Sequence, residues 1–200
     1  MPKLTADFYE REDVLAISWE LLGKVLCTNV DSKLPSGIIV ETEAYAGVAD
    51  KASHACNGRR TKRTETMYAK GGSAYVYLCY GIHHLFNIVT NKENIPHAVL
   101  IRALQPRDGI EIMLQRRNKK KVDQSLTAGP GSLTRALGIT VKDSGTFLMD
   151  NLIWLEDQNI NYTNQDILAR PRVGIQYAGK DAQKLWRFQV ENSPWVSPAF

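Results

Sequence analysis

The sequence predicts an α+β fold: a compact single domain over residues 1–200, mainly an antiparallel curved sheet with flanking helices and a protruding β-hairpin. Three observations lead there. The chain has 200 residues, 44% hydrophobic and 23% charged, which suits one globular domain with a substantial core and leaves two independent domains cramped. Strand-like segments follow one another through hairpin turns, the connection that antiparallel strands allow. Helical segments fall between strands at irregular intervals, unlike the strict alternation of a parallel sheet. No repeat or low-complexity linker divides the chain.

The elements follow in order. Asp13 caps a helix whose stripe is Val14, Ile17, Leu21 and Leu22, and Gly23 ends it. Gly37–Tyr45 (GIIVETEAY) reads as a strand. Alternation puts Ile38, Val40, Thr42 and Ala44 on one face and Ile39, Glu41, Glu43 and Tyr45 on the other. Two carboxylates and a tyrosine are unusual company on so aliphatic a strand. Ala46–Gly72 reads as a long polar loop carrying Arg59, Arg60, Lys62 and Arg63, and loops of that length usually serve function. Ser73–Tyr80 (SAYVYLCY) is strongly β-prone, Gly81 permits a turn, and Phe86–Thr90 returns. His97–Leu104 is a further strand, and a helix runs from about Asp108 to Arg117 into the basic cluster Arg116, Arg117, Lys119, Lys120 and Lys121. Ala128–Ile139 (AGPGSLTRALGI) is a tight turn leading into a short helix. The tail mixes strands with Arg170, Arg172, Lys180, Lys184 and Arg187.

Composition removes several functional classes. Cys27, Cys56 and Cys79 are odd in number, widely spaced and without a CxxC, so neither a disulfide framework nor a thiolate zinc site is expected. His54, His83, His84 and His97 offer no helical i, i+4 pair, so no metal is expected, nor any cofactor. The opening MPKLTADFYEREDVL has no apolar signal-peptide core, and no run reaches transmembrane length. A chain that stays in the cytoplasm and avoids membranes is expected. The net charge of +4 permits a polyanionic partner without requiring one.

Three features carry chemistry. Glu43 and Tyr45 share a strand face and precede His54 in the arginine-rich loop. Tyr75, Tyr77 and Tyr80 form a ladder in which Tyr80 has opposite parity and sits beside Gly81 at the hairpin tip, where a side chain projects. Asn87 and Arg102 are polar residues in otherwise apolar strands. Basic loops around a projecting aromatic suit a protein that wedges a nucleic-acid stack while holding phosphates. A carboxylate near further aromatics can then form a pocket for an extruded base, where stacking is worth roughly 1–3 kcal/mol. Each residue also has a plainer reading. Tyr75 and Tyr77 fit cross-strand packing, His54 a locally satisfied histidine, Asn87 a buried amide bonded to backbone, and the arginines a solvated face.

VETEAYAG, SHACNGRRTKRTETMY, GSAYVYLCYGIHHLFNIV, VLIRALQP, GPGSLTRALGI and the terminal SPWVS together resemble the alkyladenine (3-methyladenine) DNA glycosylase family, bacterial type, from about Leu4 to Ser197. The resemblance implies that Glu43 is the general base that activates water. Tyr45 and His54 stack on the flipped base from one side and Tyr77 from the other. Tyr80 enters the minor groove, Asn87 rejects the 2-amino group of guanine, and Arg102 lies near the water and the target's phosphate. Arg59, Arg60 and Met67 complete the expected DNA-contacting set with Tyr80. The implied partner is double-stranded DNA containing damaged purines (3-methyladenine, hypoxanthine, ethenoadenine), acted on by a monomer. No lysine occupies the water-activating position, so a monofunctional hydrolase without a Schiff base is implied. IHHLF, between Tyr80 and Asn87, is more polar than in vertebrate relatives. Two other classes remain open on the residues alone: a non-catalytic nucleic-acid-binding module, and a hydrolase of small nucleosides.

Overall fold

The structure, a computed structural model, describes residues 1–198. Residues 199 and 200, the last two of the expected domain, lie outside the described residues. Along the chain come helices α1 (Ala6–Tyr9) and α2 (Val14–Glu20), then strands β1 (Val25–Thr28), β2 (Ser36–Tyr45), β3 (Ala74–Cys79), β4 (His83–Thr90) and β5 (His97–Asp108). Helices α3 (Ile110–Arg117) and α4 (Pro130–Leu137) follow, and strands β6 (Ile153–Glu156), β7 (Ile167–Arg170) and β8 (Arg187–Val190) complete the sheet. The fold is α+β, and every pairing between these strands is antiparallel.

Strand β2 organises the sheet. The order is β3-β4-β5-β2-β1-β6, with β8 also against β2 and β7 outside β8. One edge of β2 belongs to β5 along its whole length. The other edge is divided: Ser36–Ile38 pair with β1, and Glu41–Glu43 pair with β8. Between these halves the ladder with β5 is irregular, stepping from Ile39↔Leu104 to Glu41↔Ala103 to Thr42↔Ile101. Val40 and Arg102 are therefore each passed over. A bulge re-aims side chains, and here it corrects the alternation read from sequence. Ile39 and Val40 both enter the main core, so Ile39 does not share the carboxylate face.

That core lies between the sheet and the helices and takes in Ile17, Leu21, Phe86, Ile101, Leu104, Leu133 and Leu137. Burying each such side chain contributes about 1.5–3 kcal/mol. The Asp13 side chain accepts from the N–H groups of Leu15 and Ala16 and so starts α2 as expected. In α4, Gly129 is the N-cap, Pro130 opens the first turn and Gly138 closes it in the left-handed region. Strand β5 runs four residues beyond the expected Leu104, because Gln105–Asp108 pair with the first half of β2. The helix expected from Asp108 accordingly starts at Ile110.

The Ala46–Gly72 loop is ordered by three short 3-10 turns. It is packed down by a second apolar cluster in which Ala55, Met67 and Tyr68 meet Tyr75, Val89 and Ala98. The β3–β4 hairpin turns at Tyr80 and Gly81, both at positive φ (51° and 74°). It protrudes: Tyr80 is 90% exposed and Ile82 71%.

The helix expected to run to Gly23 ends at Glu20 with Leu21 as its C-cap. Gly23, in the turn that follows, has φ +88°, and a Cβ there would collide with the Ile160 carbonyl oxygen. Gly58 has φ +74°, and a Cβ there would meet nothing within 4 Å. Gly23→Ala is expected to cost about 3 kcal/mol or more in denaturant unfolding, and Gly58→Ala only about 1–2 kcal/mol. Equal losses at the two positions would show that the Ile160 contact is not tight.

Candidate active site

The strands β2 to β5 and the loops beside them enclose a cavity of about 460 Å³. Tyr45, His54, Tyr75, Tyr77, Leu85, Asn87, Leu100 and Arg102 line it, the Val173–Ile175 segment and Tyr177 border it, and Tyr80 reaches it from the hairpin tip. The cavity thus joins residues far apart in the chain, and the sheet register explains how. Glu43 and Asn87 both pair with Leu100, which sets β2 and β4 on either side of β5 at the same level.

Glu43 is fully buried beneath this wall. Its Oε1 accepts from the Val173 N–H at 2.8 Å and lies 3.3 Å from Arg102 Nη1, while its Oε2 accepts from the Tyr45 hydroxyl at 2.7 Å. Two hydrogen bonds and the ion pair with Arg102 fix the carboxylate, and a carboxylate has about four acceptor positions, so at least one remains for a further donor such as water. Burial, and next the adjacent Glu43 charge, hold the Tyr45 phenol well above its ordinary pKa, so it stays a donor.

Behind Glu43 lies a buried ionic network. Glu41 accepts from Arg102 Nε and Arg187 Nη1, both at 3.0 Å, and from the Ser197 N–H at 2.7 Å. Arg102 Nη2 donates to Ser197 Oγ at 3.1 Å. A second pair, Arg172 with Asp50, has both side chains fully buried. The Arg172 guanidinium lies 4.7 Å from the Tyr45 ring centroid and 5.0 Å from that of Trp186, packed between two aromatic faces. Arg172 also donates to the Ala44 carbonyl at 2.8 Å, so it steadies both the strand and the ring that hold Glu43.

The aromatic wall is close-packed. His54 Nδ1 and the Tyr75 hydroxyl are hydrogen-bonded at 2.9 Å. His54 and Tyr77 meet edge to face with centroids 4.6 Å apart, and Tyr75 and Tyr77 are tilted at 5.5 Å. Burial, then the Arg63 and Arg59 charges, lower the His54 pKa to about 4, so the imidazole is neutral at neutral pH. Asn87 donates its amide N–H groups to the Tyr75 and Leu85 carbonyls at 3.1 and 3.3 Å, which fixes its orientation in the cavity lining.

The structure therefore brings Tyr45, His54, Tyr77, Asn87, Arg102 and Tyr80 together at one cavity, with Glu43 buried behind its lining, bonded to Tyr45 and paired with Arg102. It does not show the expected spacing for a base between His54 and Tyr77, which takes about 7 Å, two van der Waals separations. Met67 also differs from expectation. It is 2% exposed and lines the cavity within the loop's apolar cluster, apart from the exposed Arg59 and Arg60 with which the resemblance groups it. Arg59 and Arg60 are exposed. Arg60 is bidentate to Glu65 and bonded to Asn94, whereas Arg59 contributes its carbonyl to Tyr68 and Thr64 and leaves its guanidinium outward. Arg172 and Arg187, read from sequence as basic tail residues, are buried ion-pair partners. Sequence reasoning missed Asp50, Arg172, Val173 and Tyr177 as parts of the site. The one signal for the arginines was a pair of carboxylates on an aliphatic strand, since buried carboxylates call for cations. The three cysteines are free, and no metal-binding cluster occurs among the described residues.

Comparison with known proteins gives the family. The sequence profile of the methylpurine-DNA glycosylase (MPG) family matches residues 7–194. Proteins provisionally named 3-methyladenine DNA glycosylase are similar along nearly their whole length. The one from Chlamydia felis is 46% identical over 92% of this chain and 94% of its own. The one from Bacillus cereus is 47% identical over 95% and 96%, and that from Desulfitobacterium hafniense 43% over 98% and 99%. A profile that spans both the Glu43 strand and the Val173 segment, with relatives this similar, means that the chain belongs to the methylpurine-DNA glycosylase family.

Proposed function

We propose that this protein extrudes an N-alkylated or deaminated purine from duplex DNA into the cavity and hydrolyses its N-glycosidic bond, leaving an abasic site. The observation that carries this reading is Glu43: a fully buried carboxylate, held by two hydrogen bonds and an ion pair, directly behind a tyrosine-lined cavity. Glycosidic cleavage passes through an oxocarbenium-like sugar. An anion near C1′ stabilises that charge, and the same carboxylate can take the proton of the attacking water. A positioned base of this kind typically contributes about 10²–10⁴-fold. The Tyr45 hydroxyl, the Val173 N–H and Arg102 hold Glu43 in place for both roles.

The aromatic wall suits the leaving group. An alkylated purine carries positive charge, which makes it a good leaving group, and a neutral His54 stacks against it without charge repulsion. For a base to enter, the His54 and Tyr77 rings must part from their 4.6 Å contact. Tyr80 supplies the wedge that fills the vacated stack. Neutral lesions such as hypoxanthine and ethenoadenine need further help in leaving, so 3-methyladenine, named in the similar proteins, is the first substrate to try. Among the described residues no lysine lines the cavity, which favours release by hydrolysis without a covalent amine intermediate.

The direct experiment is base release from duplexes bearing 3-methyladenine, hypoxanthine or ethenoadenine, scored as abasic sites. Glu43→Gln is expected to lower release by at least about 10²-fold while binding of an abasic-site analogue persists; undiminished release would remove Glu43 from the chemistry. Tyr80→Ser should weaken lesion-duplex binding several-fold with no change in unfolding midpoint, because its side chain is 90% exposed. Wild-type lesion affinity in that variant would sink the wedge. Arg59→Ala should shallow the log–log salt dependence of DNA binding by about one unit, and an unchanged slope would mean that Arg59 meets no phosphate.

A further inference from the structure

We propose that Ser197, in the SPWVS segment, is a positioning residue for base excision that acts through Arg102. The proposal rests on the roles given above to Glu43 and Arg102. A guanidinium is a planar fork whose donors keep a fixed geometry, so fixing two of its nitrogens fixes the third. Arg102 is held at Nε by Glu41 Oε1 at 3.0 Å and at Nη2 by Ser197 Oγ at 3.1 Å. The nitrogen left over is Nη1, and it is the one beside Glu43 Oε1, at 3.3 Å.

Ser197 also closes a ring. Its backbone N–H donates to the second oxygen of Glu41 at 2.7 Å, so Glu41, Arg102 and Ser197 hold one another mutually. Glu41 is anchored from a third side by Arg187 Nη1 at 3.0 Å. The segment carrying Ser197 is tied down separately, by Gln124 Nε2 donating to the Val196 carbonyl at 2.8 Å. Ser197 is 5% exposed and Arg102 6%, so bulk water does not replace the hydroxyl if it is lost. Without it, the guanidinium keeps one hydrogen bond, from Nε to Glu41, as a pivot, and Nη1 is free to turn away from Glu43. The bulge where Arg102 is passed over in the β2–β5 ladder leaves that freedom in the backbone, and the serine removes it. Trp195 packs against the main core, which accounts for its own place in the motif; the hydroxyl of Ser197 bonds Arg102 instead.

The test is single-turnover release of methylated purine from alkylated duplex DNA, run beside affinity for an abasic-site analogue. Ser197→Ala is expected to slow release roughly tenfold, in line with one hydrogen bond to a charged group, with affinity for the abasic-site analogue unchanged and the unfolding midpoint lowered, because Arg102 Nη2 loses its partner in a buried place. In an Arg102→Lys background, which keeps the charge but has no fork for the hydroxyl to orient, Ser197→Ala should add no further loss. A wild-type rate for Ser197→Ala overturns the proposal, as do losses that multiply in the double variant, which mark Ser197 as ordinary packing. Glu43→Gln in the same assay separates the two levels. If it is inactive and Ser197→Ala is silent, only the positioning role falls; if it is fully active, the reading of Glu43 falls and the Ser197 proposal with it.

Discussion

Two carboxylates two residues apart on one central strand, both removed from water, are the constraint on which this molecule is built. A buried charge is tolerated only when it is paired and hydrogen-bonded. Glu41 and Glu43 impose that demand on everything around them. Arg102 comes from the neighbouring strand, Arg187 from the strand on the other edge, and Val173 and Ser197 from segments far along the chain. Removing one member of such a set costs about 3–5 kcal/mol, because its partner is left buried and unpaired. The network is thus a weak net source of stability but a strong specifier of position. It allows β8, the Val173 segment and the SPWVS segment one arrangement around β2.

The division of the β2 edge follows from the same demand. A regular strand paired with a single neighbour on each side has room for side chains from those two neighbours alone. By handing its first half to β1 and its second to β8, β2 brings Arg187 level with Glu43 in register and beside Glu41 in space. The bulge at Val40 and Arg102 lets the aliphatic half stay in the core while the carboxylate half faces Arg102. Core and site are the two faces of one strand, separated by a local change of register.

How much of this is legible in the chain depends on whether the signal is local. The cap at Asp13, the turn at Tyr80–Gly81 and the GPG entry to α4 are local, and each appears where the residues place it. The odd pairing of Glu43 with Tyr45 on an aliphatic strand is visible too, and it points at the site. What stays hidden is what arrives from a distance. Arg172 and Arg187 look in sequence like tail charges, and their burial follows only once Asp50 and Glu41 are folded against them. Alternation puts Ile39 on the wrong face because it assumes a regular ladder. The place of Met67 is hidden as well: its side chain lies inside the loop's own apolar cluster and lines the cavity.

The contrast between the site's floor and its rim bears on how extrusion and hydrolysis share the protein. The floor is over-determined: Glu43, Arg102 and Tyr45 each have fixed partners, so little reorganisation remains when charge develops. The rim is the opposite. Tyr80 sits in the left-handed region at φ 51°, a conformation that costs a non-glycine residue about 1–2 kcal/mol, and its ring is left in water. Neither feature helps the free protein. Both suit a side chain whose apolar surface is buried by a partner rather than by its own fold. Between floor and rim, the neutral His54 and the Tyr77 ring fill the slot with a weak edge-to-face contact, worth about 0.5–1.5 kcal/mol beyond burial. In the proposed extrusion, an entering base would replace that contact with two stacked faces. Opening would cost that contact and, if His54 moves, its hydrogen bond to Tyr75, while the carboxylate behind is held by partners of its own.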